Sequence, residues 1–210
     1  MKMLTRKLDK TSRVKPTIAF YSRKNRSMML CESRLEADAL LQLEFNDNVL
    51  RYITQPCSVT YHNHYTPRRY TPDVLVAYRD GTYRFLEIKP YSKAEKDKFT
   101  AKLLTLQSYF LEEIGHPLEL VTDKEIRVGK SAVNLRLLYR FLDVSIDEEI
   151  TKQVLQEAKA LNKITVANVE NLFANYGKDV ACAWSLIANQ KLKYNHKFLL
   201  NRTSQLEVAA

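Results

Sequence analysis

A chain of 210 residues with 45% hydrophobic side chains can bury a real core, and twelve Tyr and eight Phe exclude a disordered polyelectrolyte. Four Gly is too few for a turn-rich all-β architecture, and three widely spaced cysteines, Cys31, Cys57 and Cys182, form neither a zinc motif nor a disulfide framework. The net charge of +9 points to a polyanionic partner, and nucleic acid is the commonest one.

Most of that charge stands at the beginning. Residues 1–26 hold nine bases and one acid. This segment reads as a phosphate-contacting arm, in which Lys7, Lys10, Arg13, Lys15, Arg23, Lys24 and Arg26 are the candidate DNA contacts, or else as a solvated tail. A helix follows over Ser33 to Phe45, with Ser33 as N-cap and Leu35, Ala39, Leu40 and Leu43 at helical spacing. Four β-like runs come next, Val49–Gln55, Ser58–His64, Tyr70–Tyr78 and Thr82–Lys89, each bounded by turn-forming residues. Asp80-Gly81 marks a hairpin between the last two, and Pro90 ends the last strand. A long helix is expected over Lys93 to Ile114, stopped by Gly115, and a short strand over Leu118–Thr122.

Beyond Gly129 the pattern becomes helical: Val133–Leu142, Glu148–Leu161, Val166–Asn175 and Asp179–Gln190. Two short β-like stretches, Leu192–Phe198 and Thr203–Val208, close the chain. Short helices followed by a hairpin suggest a winged-helix-like module. The expected division is a basic arm over 1–26, an α/β domain over 27–128 and a helical domain over 129–210. No apolar run approaches 18 residues and no signal peptide is evident, so a cytoplasmic protein with no membrane association is expected.

Chemistry concentrates between Tyr70 and Pro90. Residues two apart on a strand share a face, so Glu87 and Lys89 point one way and Leu86 and Ile88 the other. The turn decides whether Asp73 joins them. With Asp80-Gly81 as a two-residue loop, Asp73 faces the wrong side. With a three-residue loop, Arg79-Asp80-Gly81, and Gly81 left-handed in a bulge, Asp73 stands opposite Glu87. The second register is expected, because the first buries lone charges against an apolar layer. Asp73 and Glu87 are then hard oxygen ligands suited to Mg²⁺ or Mn²⁺, which the Ile88 carbonyl would complete. Lys89 would orient a water or stabilise the charged phosphorane. Glu36 lies inside the apolar arc of its helix. It either reaches the site, holding a second ion or binding through water, or serves only as the fourth residue of a capping box with Ser33.

Pro72-Asp73 and Glu87-Ile88-Lys89 resemble the PD-(D/E)xK nuclease motif. In their longer context of Ser33-Arg34-Leu35-Glu36, Leu43-Glu44-Phe45, Gln55-Pro56, Tyr70-Thr71-Pro72-Asp73 and Lys89-Pro90, they are similar to TnsA, the endonuclease subunit of a heteromeric transposase. The likeness is good over about residues 25–125 and looser beyond. It implies an α/β, restriction-endonuclease-like core, a mixed sheet flanked by helices, and a C-terminal, mostly helical winged-helix-like domain. It places Glu36, Asp73, Glu87 and Lys89 in the catalytic positions and implies Mg²⁺. The resemblance further implies DNA cleavage at the 5′ ends of a transposon beside a TnsB-type DDE transposase, and contact with a TnsC-type AAA+ regulator. The compact second domain resembles the short forms of CRISPR-associated transposons. Two other readings share these residues: a stand-alone restriction- or resolvase-type nuclease, and a non-catalytic DNA-binding adaptor.

Overall fold

The sheet of the first unit exists because four short, β-branched and aromatic runs can bury both faces. In the computed structural model, which describes residues 17–63 and 66–209, β3 (Val49–Thr54), β6 (Val74–Tyr78), β7 (Tyr83–Lys89) and β8 (Leu118–Thr122) pair in the order β3-β6-β7-β8. The first two pairings are antiparallel and the last is parallel, so the sheet is mixed. The chain divides into two compact units between Ile126 and Arg127.

One face of the sheet packs on α1 (Arg34–Phe45). Leu35, Ala39, Leu40 and Leu43 meet Val74, Val76, Leu86 and Ile88, and Ile126 from α4 (Asp123–Ile126) closes the cluster. The other face packs on α3 (Asp97–Tyr109) and the turn that follows it: Leu75, Phe85 and Leu118 meet Leu103 and Leu106 of the helix and Phe110 of the turn. Alternation along β6 and β7 thus sends neighbouring residues to opposite layers, as period-two side chains must.

Several expected elements differ. The segment read as an arm up to residue 26 becomes ordered hairpin from Ile18 onward: β1 (Ile18–Ser22) pairs antiparallel with β2 (Ser27–Cys31). Its inward residues Ile18, Phe20, Met29 and Cys31 join the α1 cluster, and that burial outweighs the charge of the turn. Glu44 fastens the turn. Its buried carboxylate accepts from Ser22 Oγ (2.6 Å), from the backbone N–H of Arg23 (3.1 Å) and Lys24 (3.4 Å), and from the Tyr52 hydroxyl.

The expected strand Tyr70–Tyr78 is broken. Pro72 has no N–H to donate, so the chain leaves one pairing and enters another. Thr66–Tyr70 (β5) pairs with Val59–Asn63 (β4) as a separate ribbon, and β6 starts at Val74. The expected long helix is also broken, into α2 (Tyr91–Ala94), α3 and a π-helical turn, Phe110–Ile114, which Gly115 ends at φ 76°.

The second unit contains α5 (Ser131–Leu138), a 3₁₀ turn (Tyr139–Phe141), α6 (Glu148–Lys159), α7 (Val166–Asn175) and α8 (Ala181–Ala188). The hairpin of β9 (Leu192–Tyr194) and β10 (Leu206–Val208) follows. Asp147 and Thr165 cap α6 and α7 through their side chains. Trp184 stacks on Phe141 and donates to buried Glu170 (2.9 Å), which also takes Arg202 (2.6 Å). It is a packing residue, as its place between Ala183 and Leu186 suggests. Among the described residues no helix is long and apolar enough to cross a membrane.

Candidate active site

The β6–β7 hairpin has the three-residue loop. Tyr78 N–H donates to Thr82 O (2.9 Å) around Arg79-Asp80-Gly81, and Gly81 sits at φ 86°. The left-handed backbone there suits only a residue without Cβ. Val74 therefore pairs with Leu86, the register that the three-residue loop requires, and Asp73, the residue just before β6, lies within electrostatic reach of Glu87. Three hydrogen bonds pin Asp73. Its N–H donates to Leu86 O (3.0 Å), its carbonyl accepts from Gln55 N–H (2.8 Å), and its Oδ2 accepts from Ile88 N–H (2.6 Å).

Glu87 is buried, with Oε1 2.7 Å from the Lys89 ammonium and Oε2 accepting from the Tyr70 hydroxyl (2.7 Å). Burial and the neighbouring Glu87 charge push Asp73 up to about 8. Burial draws Lys89 down, but its hydrogen bond to Glu87 and the charges of Glu87, Asp73 and Glu36 outweigh that, so it ends above an ordinary lysine and stays cationic. Tyr70 is held protonated by burial and by Glu87.

Glu36 comes to the site by a different route from the one its periodicity suggests. The apolar stripe of α1 covers the opposite face of the sheet, and Glu36 occupies the first turn of the helix. Ser33 caps that turn as expected. The return bond differs: Glu36 accepts from Ser33 Oγ (2.8 Å) and from the backbone N–H of Glu32 (2.8 Å), one residue earlier than a capping box would use. Burial raises Glu36, and Lys89 partly offsets this, so the two sense each other's charge. Glu87 and Lys89 are thus in direct contact, and Asp73 and Glu36 are their electrostatic neighbours.

Two residues here, both within the segments that carry the family likeness, show no role from residue type alone. Tyr70 resembles any β-strand tyrosine. Gln55, known only as part of Gln55-Pro56, is buried in left-handed backbone at φ 46°, and its amide donates to Glu32 (2.9 Å) while its Oε1 is buried without a hydrogen-bond partner. A non-glycine residue at such an angle costs about 1–3 kcal/mol and persists only where its surroundings enforce it.

Other expected contacts fall elsewhere. Lys24 turns inward, donating to the Asn46 and Val49 carbonyls (2.7 Å to the latter), and burial lowers its pKa. Its ammonium thus anchors the turn to the start of β3. Arg23 is half-buried and Arg26 exposed in the same turn, whereas Lys7, Lys10, Arg13 and Lys15 lie outside the described residues. His62 is exposed on β4 and His64 lies outside the described residues. Among the described residues, no three His, Cys, Asp or Glu side chains are gathered as a ready-made metal cage.

A mixed sheet between helices, with Asp, Glu and Lys meeting at the end of a central hairpin, defines a nuclease core of the PD-(D/E)xK class. Residues 46–123 match the family model described as TnsA-like endonuclease N terminal, so this part of the chain is similar to a TnsA-type endonuclease domain. The matched stretch holds Asp73, Glu87 and Lys89, while Glu36 precedes it. No curated protein matches the chain.

Proposed function

We propose that this protein is a Mg²⁺-dependent DNA endonuclease that nicks the 5′ ends of a transposon during cut-and-paste transposition, working with a TnsB-type DDE transposase. The observation that carries the reading is the Glu87–Lys89 ion pair with Asp73 as its charge neighbour, inside the segment that matches the TnsA-like family. Two neighbouring carboxylates, one of them raised by burial and by the charge of the other, form a site that favours an added cation. The donor set of Asp73, Glu87 and the Ile88 carbonyl is all hard oxygen and fits Mg²⁺, with Mn²⁺ as a substitute. Bound there, the ion would lower the pKa of a water and relieve phosphate charge.

The protein's own groups do the remaining work. Ile88 N–H and Gln55 N–H fix Asp73, and Tyr70 fixes Glu87. Lys89 supplies a permanent positive charge beside the scissile phosphate, where it orients a water and stabilises the phosphorane. Glu36 adds negative charge from the helix end and would hold a second ion or a bound water. The second unit, short helices followed by a β-hairpin, is read as a winged-helix-like module that contacts DNA or a TnsC-type AAA+ regulator.

Strand-resolved cleavage of end-labelled transposon-end duplex tests this. With Mg²⁺ and the transposase, a nick on the 5′ strand is expected, absent from Asp73→Ala and Lys89→Ala. Cutting at unrelated sites without any transposase would instead identify a stand-alone nuclease. No cutting under either condition would leave a DNA-binding adaptor.

A further inference from the structure

The β4–β5 ribbon stands outside the main sheet and is not used by the chemistry above. Its first four β5 residues, Thr66 to Arg69, are all exposed, and only Tyr70 at its root is buried. Register places Thr60 opposite Arg69 and His62 opposite Pro67, so one face of the ribbon is outward and rich in hydrogen-bond donors. The opposite face carries Tyr61 and Tyr70 into the core beside α3, with Arg68 at its rim.

No Asp or Glu occurs from residue 48 to residue 72. Elsewhere arginines meet carboxylates: Arg84 pairs with Glu119 (2.5 Å) and Arg202 with Glu170 (2.6 Å). Neither Arg68 nor Arg69 has an acidic partner among the described residues. Arg69 is nonetheless held, donating to Ser58 Oγ (3.0 Å), which is itself bonded to Thr71 Oγ1 (2.7 Å). Lys102 lies over the Tyr70 ring at 5.2 Å, continuing the positive charge toward the site.

The root of the ribbon is mechanically part of the catalytic centre, because Tyr70 bonds Glu87 and Asp73 follows three residues later. At about 3.3 Å per extended residue, Arg68 and Arg69 stand no more than about 17 Å from Asp73 along the chain. That is at most about five base-pair steps of duplex. A two-stranded ribbon is also narrow enough to lie in or along a DNA groove about 12 Å wide.

We infer that the β4–β5 ribbon is a clamp for the DNA backbone beside the scissile bond, with Arg68 and Arg69 contacting phosphates. This rests on the nuclease reading and adds the surface that seats the substrate. The test uses the full chain carrying Asp73→Asn, so that DNA is bound and not cut. Affinity for a short duplex is measured across a salt series, with and without Arg68→Gln and Arg69→Gln together. The double change should lower the slope of log affinity against log salt by about one to two, weaken binding equally on unrelated sequences, and leave the melting temperature in place. An unchanged slope and affinity would overturn the clamp. So would a loss confined to one sequence at unchanged slope, which would mean base reading. If the protein without Asp73→Asn still cuts DNA in those cases, the nuclease reading survives alone. If the chain neither binds nor cuts DNA, both fail.

Discussion

The hydroxyl of Tyr70 donates to Glu87 Oε2 at 2.7 Å, joining the exposed β4–β5 ribbon to a buried carboxylate of the site. Glu87 is thereby shared between a neutral donor on one oxygen and the Lys89 ammonium on the other. Its orientation is set before any substrate arrives.

Replacing that donor isolates its contribution. Tyr70→Phe keeps the ring against Phe110 and removes only the hydroxyl. A hydrogen bond to a charged group is worth about 1.5–3 kcal/mol, so single-turnover cleavage should slow by roughly 10- to 100-fold with little change in DNA affinity. Equal rates for the two proteins would show that Glu87 needs no such support.

Proton linkage gives a second outcome. Asp73 is raised above its unfolded value, so the stability it lends is complete below about pH 4, where the unfolded side chain is also protonated. That stability is lost as pH climbs through about 8. In chelator, melting temperature should therefore fall between pH 6 and pH 9 more for the unmodified protein than for Asp73→Asn, which keeps an acceptor for Ile88 N–H. Added Mg²⁺ should restore the difference at high pH in the unmodified protein only. Parallel melting curves for the two proteins would contradict this.

Gly81 sets the register that brings Asp73 to Glu87. A Cβ at this position meets nothing within 4 Å, so Gly81→Ala tests backbone conformation alone. The left-handed angle should cost about 1–2 kcal/mol, read in urea unfolding, and cleavage should fall further than that loss explains if the register slips. A variant as stable and active as the parent would remove the bulged turn from the argument.

Glu44 is expected to matter for folding and not for catalysis. It collects two side-chain hydroxyls and two backbone N–H groups around the β1–β2 turn. Glu44→Ala leaves those donors unsatisfied and should destabilise the first unit by about 2–5 kcal/mol, measured by chemical denaturation. A loss under about 0.5 kcal/mol would show that the hairpin holds without it.

Much of the site could be read from residue order because strand parity and turn chemistry are local. Asp80-Gly81, Glu87 and Lys89 together specify one face, and the pairing follows. Other features are tertiary. Ile18–Cys31 looks like a basic segment until α1 offers its apolar stripe to Phe20 and Met29. The break at Pro72 depends on β4 being available as a second partner for β5. Tyr70 and Gln55 carry no residue-type signature, since their roles arise from what lies opposite them. Glu36 shows the converse: its helical phase marks it as unusual, yet the stripe it shares packs on Leu86 and Ile88, the face opposite Glu87 and Lys89, and only its position in the first turn brings it near Lys89.

Divalent-ion binding tests the central claim most directly, because the paired carboxylates are meaningful only if they hold a cation. Mn²⁺ titration by calorimetry or electron paramagnetic resonance should reveal a site in the unmodified protein that is lost in both Asp73→Asn and Glu87→Gln and retained in Arg69→Gln. Undiminished Mn²⁺ binding in both carboxylate variants, or none in the parent, would contradict a metal site at Asp73 and Glu87.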